Sequence, residues 1–315
     1  MRIRIGTRQS PLALWQANHI SDRLTELGVE VELVKITTTG DTTTTPLGQS
    51  GGVGLFTKEI QRALLDGRCD VAVHSLKDLP TERVEGLVLA AVPQREDPAD
   101  CLIAKVPTGL SELPDGAVVG TGSPRRRAQL LHCRPDLRVQ DIRGNVDTRL
   151  SKLQAGSYDA ILLAYAGLHR LGLESVISEK LSMERMLPAV GQAALGLETR
   201  SEDTEVLQCV RKLNHAVTCS AVRAERELLR QLRAGCLAPV AAHATCESNV
   251  LKMVCRVFSL DGKTMLSAEV QVPFDPERVY QSAVPEALAV QAMASLRAQG
   301  AEQLIERSRS SETAS

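Results

Sequence analysis

The stretch "VVGTGSPRRRAQLL" (residues 118–131) reads as a short apolar strand, a glycine turn, and a helix with serine at its N-cap and proline at its first position. An earlier stretch, "IGTRQSPLALW" (5–15), has the same grammar, with Ser10 and Pro11 in the corresponding places. Around these two, strands are expected near 2–6, 30–36, 70–74, 87–92, 117–120, 137–141 and 159–163. Helices are expected at 11–27 and 55–66 and between several of the later strands. Such alternation predicts a mostly parallel sheet covered by helices, in one unit or two. After residue 215 the order changes. A helical stretch at 216–233 precedes strands near 239–246, 250–258 and 264–272, and a second helical stretch interrupted by Pro285 follows, so a separate α+β domain is expected there. The polar, proline-marked segment "VPQREDPADC" (92–101) reads as a hinge between two units, and "TTTGDTTTTPLGQSGGVG" (37–54) as a mobile loop over a site. The last residues, "RSRSSETAS", read as a frayed tail.

The chain has 315 residues, 43% of them hydrophobic, and a formal net charge of −1. Near-neutral charge argues against a nucleic-acid backbone or an anionic membrane as main partner, since both require a basic excess. An aromatic content of 2% leaves few platforms for stacking bases. The eight cysteines form no Cys-x-x-Cys pair and no zinc-like spacing with histidine, which fits a reducing compartment. No apolar run approaches the roughly 18 residues of a membrane span. The N-terminus alternates like a first strand rather than a signal peptide, so a cytoplasmic protein is expected.

Chemistry concentrates at strand-to-helix junctions. Arg125, Arg126 and Arg127 in a first helical turn oppose the macrodipole at a cost of about 0.3–1 kcal/mol each when exposed. One of the three, Arg127 or Arg126, suits a solvated helix face. The others call for an anion held jointly by guanidinium groups and free helix N–H groups. Arg8 precedes Ser10 at the first junction, and "DIRGNVDTRL" (141–150) brings Arg143, Asn145 and Arg149 to a third. In α/β sheets these junctions converge where ligands bind. Arginines on separate loops suit a ligand with several carboxylates better than a single phosphate, and no phosphate-binding or dinucleotide glycine motif is present. At a fourth junction, "DVAVHSLKDLP" (70–80), Lys77 and Asp78 follow a buried strand. Asp78 is either a satisfied turn carboxylate or a group that stabilises a developing cation and moves a proton. His74 lacks a nucleophile at triad spacing and reads as structural, and metal ligands are lacking. In "LLRQLRAGCLAPVAA" (228–242), Gly235 reads as a left-handed helix cap that sets Cys236 on a tight connection before Pro239.

These residues resemble one family, the porphobilinogen deaminases or hydroxymethylbilane synthases. The matching stretches run in order along nearly the whole chain: "IGTRQSPLALWQA", "GLFTKEIQRALLDGRCDVAVHSLKDLPT", "REDPAD", "VVGTGSPRRRAQLL", "DIRGNVDTRLSKL", "YDAILLAYAGLHRLGL", "LPAVGQAALGLE" and "GCLAPVAAHA". The resemblance implies two periplasmic-binding-protein-like α/β lobes around a cleft plus a small α+β third domain. The limits it implies are 1–95 with 190–213 for a discontinuous first lobe, 96–189 for the second, 214–307 for the third domain and 308–315 for a flexible tail. It implies a transferase that adds four porphobilinogens in succession, each losing ammonia, to a dipyrromethane cofactor carried as a thioether on Cys236. Hydrolysis then frees hydroxymethylbilane. By the same resemblance, Asp78 is the catalytic carboxylate that stabilises the azafulvene-like cation. Arg8, Ser10, Lys77, Ser123, Arg125, Arg126, Arg143 and Arg149 hold cofactor carboxylates. Phe56, Arg170 and Gln192 meet the substrate, and His74 orients its neighbours. A monomer is usual for the resemblance, while the composition and N-terminus already predict a cytoplasmic protein with no nucleic-acid or membrane partner. The chain departs from the family pattern at Gln49 and Val53, where loop lysines are frequent, at Gly122-Ser123-Pro124, and at Ala234 and Leu237 around the cysteine. The alternative reading is a two-lobed protein that binds an anion or a pyrrole without chemistry.

Overall fold

A computed structural model describes residues 1–37, 57–234, 238–276 and 283–313. The loop expected at 37–54 therefore lies almost wholly outside the described residues, as do Phe56 and Cys236. Strand β1 (Arg2–Thr7), helix α1 (Pro11–Glu26), β2 (Glu30–Lys35), α2 (Lys58–Leu65), β3 (Val71–Ser75) and β4 (Leu87–Ala91) come first. Next come β5 (Asp100–Ala104), β6 (Val118–Gly120), α3 (Pro124–Cys133), β7 (Arg138–Gln140), α4 (Val146–Gln154), β8 (Ala160–Ala164), α5 (Tyr165–Arg170) and β9 (Glu179–Lys180). β10 (Leu195–Arg200) and α6 (Thr204–Arg211) precede a final group: α7 (Ala216–Gln231), β11 (Val240–Glu247), β12 (Val250–Phe258), β13 (Met265–Pro273), α8 (Val284–Ala298) and α9 (Ala301–Thr313).

Two five-stranded sheets have one topology. The first runs β2-β1-β3-β10-β4 and the second β7-β6-β8-β5-β9. In each, a strand pairs in parallel with the two that follow it in its unit, β1 with β2 and β3, and β6 with β7 and β8. In each, a single reversed strand then separates the third strand from the edge, β10 in the first sheet and β5 in the second. These reversed strands adjoin the two segments, 92–99 and 187–194, that carry the chain between the sheets. The sheets are thus mixed rather than simply parallel, and the segment expected to be a hinge already enters strand β5 at Asp100. The result is a pair of α/β lobes of matching strand order with a small α+β third domain.

Local chemistry explains the junctions. Ser10 Oγ accepts from the Ala13 N–H and Ser123 Oγ from the Arg126 N–H, with proline at the first position of both helices. On α1, Ala17, Ile20 and Leu24 are buried at i, i+3 and i+7 against Ile3, Ile5 and Val71. Gly191, with φ +68°, lets the returning segment pass close to the turn that follows β3. A Cβ there would lie 3.3 Å from Leu76 Cγ and 3.4 Å from the Lys77 nitrogen.

In the third domain, α7 and α8 cover the antiparallel sheet β11-β12-β13. Its β12–β13 turn presses on the second lobe. A Cβ on Gly262 would lie 2.5 Å from the Ala128 carbonyl oxygen of α3, and the Gly262 carbonyl is 2.8 Å from His132 Nδ1. Three expectations differ from the structure. Pro285 does not interrupt α8 but occupies its first turn, where proline costs no hydrogen bond. The left-handed residue just past α7 is Arg233, φ +50°, two positions before Gly235, which lies outside the described residues. The Ala234 and Arg233 N–H groups close onto the Leu229 and Arg230 carbonyls before the glycine is reached. Finally, α9 continues to Thr313, past the expected tail boundary at 308, with Ser308 Oγ bonded back to the Leu304 carbonyl.

Candidate active site

The carboxyl ends of β1, β3 and β8 and the starts of α1, α4 and α5 surround one cavity of about 300 Å³ between the lobes. Arg8, Ser10, Lys77 and Asp78 line it from the first lobe, and Arg126, Arg149 and Arg170 from the second. Among the described lining residues, five cationic side chains thus face two carboxylates, Asp78 and Asp147. These cations crowd together partly withdrawn from water, which disfavours their charged forms. Burial lowers the Lys77 pKa to about 8, opposed by the charge of Asp78 and reinforced by that of Arg126. Burial, then the charge of Arg126, brings Arg149 down to about 10. Burial also brings Arg170 to about 10 against the pull of Glu96. An organic polyanion entering this cavity would relieve a cost the folded protein already bears.

Asp78 closes a single turn of 3-10 helix, Leu76–Asp78, at the end of β3, and its side chain is exposed to the cleft. Among the described residues, no hydrogen bond or ion pair engages its carboxylate, so it is available to a ligand. Leu76 and Leu79 on either side are buried, which fixes the turn while leaving the carboxylate outward. Ser75 Oγ bonds Gln16 of α1 at 2.8 Å from the neighbouring position.

Four other expected site residues stand behind the wall. Arg125 and Arg126 are both buried, and the anion that offsets them is internal. Arg125 Nη1 donates to Asp100 at 2.7 Å and Arg126 Nη2 to the same carboxylate at 2.7 Å. Gln192 Nε2 also donates to Asp100, at 2.9 Å, from the returning segment. Burial by itself would raise the Asp100 carboxyl, but the charges of Arg125 and Arg126 hold it far below the ordinary carboxylate range. Arg126 still reaches the cavity, whereas Ser123 caps its helix and Arg143 pairs with Asp141 at 3.0 Å. Arg127 lies on the solvated side and donates to the Val139 carbonyl. Arg170 donates to the Ala193 carbonyl of the returning segment and lies over the Trp15 ring of α1, joining both lobes.

Sequence reading missed the partners. Asp100 opens an apolar run, "DCLIA", and an acid at the head of a buried strand is the signal that could have marked it. His74 lines the cavity, and its Nε2 lies 3.2 Å from Glu198 of β10, which also accepts from Gln61 of α2. Nothing local to His74 announces a partner 124 residues away.

A pair of lobes that draws positive charge from both sides onto one cavity, around the uncommitted carboxylate of Asp78, defines a two-lobed α/β protein with a cleft suited to a polyanion. Family models sharpen this. The model described as "Porphobilinogen deaminase, dipyromethane cofactor binding domain" matches residues 3–208, and "Porphobilinogen deaminase, C-terminal domain" matches 219–289. The chain is 51% identical over 265 residues to the porphobilinogen deaminase of Trichlorobacter lovleyi, covering 83% of this chain and 85% of that protein. It is 48% identical over 277 residues to that of Pelobacter propionicus, covering 87% and 89%. Among solved structures it is similar to the crystal structure of a methionine binding protein at 14% identity, with a TM-score of 0.43 over 67% of this chain and 89% of that one. The chain belongs to the porphobilinogen deaminase family, transferases with a dipyrromethane cofactor.

Proposed function

We propose that this chain joins four porphobilinogen molecules head to tail on a dipyrromethane group held as a thioether by Cys236, then releases hydroxymethylbilane by hydrolysis. At each addition a C–C bond forms at a pyrrole carbon, the C–N bond of the aminomethyl group breaks, and ammonia leaves. The observation that supports this most strongly is the excess of positive charge around the cavity, five cations to two carboxylates among the described lining residues, because each pyrrole of such a chain carries an acetate and a propionate. When bound, the dipyrromethane supplies the pyrrole carbon to which the first porphobilinogen is joined. The residues present fit it. Arg8, Ser10, Arg126 and Arg149 would take its carboxylates, Lys77 a carboxylate shared between it and the incoming porphobilinogen, and Arg170 the other carboxylate of the porphobilinogen. Asp78 faces the cation formed as ammonia departs and lowers its energy by proximity of opposite charge. It then accepts the proton released when the new bond is made. Arg125, Ser123 and Gln192 act at one remove, by fixing Arg126 and the returning segment around Asp100. Arg143 is committed to Asp141, so a carboxylate it takes must displace that residue. Phe56 and Cys236 keep the roles the family gives them.

In this reading the cleft lies between 1–95 with 190–213 and 96–189, while 214–307 carries the anchor. The enzyme works as a cytoplasmic monomer with no nucleic-acid or membrane partner. Its near-neutral charge supports the absence of a nucleic-acid or anionic-membrane partner.

The deciding experiment is the intact mass of the purified protein beside that of Cys236→Ser. The expected result is a wild-type excess equal to two porphobilinogens less two ammonias, absent from the variant. A wild type that stays unmodified after incubation with porphobilinogen would favour the non-catalytic binding protein instead.

Lys77 gives the reading a pH signature. Its proton is held up to about pH 8 in the folded protein but up to 10.5 in the unfolded chain. The unfolded state therefore binds more protons between those values, and the stability of the free protein rises with pH across that window. Carboxylate binding moves the opposite way, since neutral Lys77 no longer offers a charged donor. KM for porphobilinogen is expected to climb, by up to about tenfold, as pH passes 8. In Lys77→Arg it should stay flat, and a wild-type KM independent of pH from 7 to 9 would contradict the assignment.

A further inference from the structure

Helix α7 of the third domain is fixed at its middle by a buried carboxylate. Glu225 is fully buried and accepts from the Gly191 N–H at 2.7 Å, the Ala244 N–H at 2.9 Å and Arg95 Nη1 at 2.6 Å. Those partners belong to both segments that join the lobes and to the third domain's own sheet. The next residue, Arg226, points to the first lobe. Its Nη1 donates to the Leu79 carbonyl at 2.8 Å and its Nη2 to the Pro80 carbonyl at 2.7 Å. These are the two residues immediately after Asp78. One turn earlier on the same helix face, Val222 is buried in a cluster with Leu76 and Leu79, the apolar residues that bracket Lys77 and Asp78.

We propose that Arg226 is a positioning residue for Asp78: its guanidinium chelates consecutive carbonyls of the catalytic turn and sets that turn against the domain from which Cys236 arises. The proposal rests on the function assigned to the cleft. Its physical content is that two adjacent carbonyls, one of them from a proline with no N–H of its own, are held by one rigid fork. Two charge-assisted hydrogen bonds from a separately anchored helix remove the freedom of the 78–80 backbone to rotate about its last turn. Helix α7 runs on toward Cys236 in the sequence, so one element sets the carboxylate and leads to the anchor. A carboxylate displaced by about 1 Å from the reacting centre loses on the order of a hundredfold in rate without loss of ground-state binding.

The test compares Arg226→Ala, Arg226→Lys and, as a control on the same helix, Arg230→Ala, whose guanidinium bonds Glu227 within the helix. Amide hydrogen exchange across residues 77–84 is read first, because it needs no turnover. In Arg226→Ala it should quicken by about tenfold or more, with the remainder of β3 unchanged. The covalent mass should be intact, kcat should fall by about tenfold to a hundredfold, and KM should move by less than about twofold. Lysine, able to serve one carbonyl at a time, should fall between, and millimolar methylguanidinium should restore part of both protection and rate to the alanine variant. The Arg230→Ala control should match wild type. Unchanged exchange, or faster exchange with unchanged kcat, overturns the proposal, as does a rate loss that tracks global stability and ignores methylguanidinium. If the wild type itself carries no mass excess and turns nothing over, the functional reading falls, and the exchange measurement still decides whether Arg226 orders the Asp78 turn.

Discussion

Asp78→Asn is expected to yield a folded, monodisperse protein whose turnover of porphobilinogen falls by at least about a hundredfold, the scale on which lost charge stabilisation and lost proton transfer act. The substitution keeps the shape of the side chain and removes only its charge and its basicity. Because the Asp78 side chain is exposed in the cleft and holds no partner among the described residues, its loss leaves no buried group unsatisfied, and the melting temperature should barely move. The charge also supports Lys77, whose proton affinity Asp78 raises. In the variant, Lys77 therefore titrates below its wild-type value and the pH at which KM begins to climb moves down. Steady-state rates across pH 6–9, with thermal unfolding beside them, make the comparison. A rate within about tenfold of wild type would remove Asp78 from the chemistry.

The opposite pattern is expected at Asp100, where stability suffers first. Asp100→Ala leaves Arg125 and Arg126 buried together without their carboxylate and takes an acceptor from Gln192. Uncompensated buried charge of this kind costs about 3–5 kcal/mol. Asp100 also has a signed pH dependence. Its carboxyl is held far below the 3.8 of an ordinary aspartate, so it contributes stability at every pH above that value and loses it only as acid drives the pH down toward the folded-state value. The wild type should thus stay folded to lower pH than Asp100→Asn, and its stability advantage over that variant should shrink as pH falls below 3.8. Urea unfolding followed by the single tryptophan, Trp15, reads both effects. An unchanged midpoint in Asp100→Ala would show that the arginine pair finds another anion.

The two junctions with Ser-Pro at the helix start were legible because N-cap, proline and strand pattern are all local and all agree. Lys77 and Asp78 were legible for the same reason: a buried strand ends, a proline stops the chain, and charged residues remain between. What stayed hidden depended on chain segments far apart. Arg125 and Arg126 in a first turn rightly demanded an anion, but the sequence pattern could not say that Asp100, on a strand of the same sheet, already supplied one. Beyond the shared Ser-Pro junction, the repeat of topology between the lobes was not legible in the residues, because pairing order, not residue identity, is what repeats. Glu198 meets His74 only once β10 has returned to the first sheet. At the end of α7, Gly235 looked like the cap, yet the backbone turned two residues sooner at Arg233, since the chain takes the first geometry that satisfies its last carbonyls.

The placing of β10 between β3 and β4 also orders events in time. A ribosome delivers β3 and β4 early, but the strand that must lie between them is made only after the whole second lobe has emerged. At about 5–20 residues per second, the strand that carries Lys77 and Asp78 at its end waits several seconds with an open edge. Until then the nascent first lobe is an incomplete sheet exposed to wrong pairings, the usual hazard of an uncovered strand. The turn that carries Lys77 and Asp78 is therefore fixed late, when the returning strand closes the first sheet. A chain truncated anywhere before residue 200 is expected to be a client of chaperones rather than a weak enzyme.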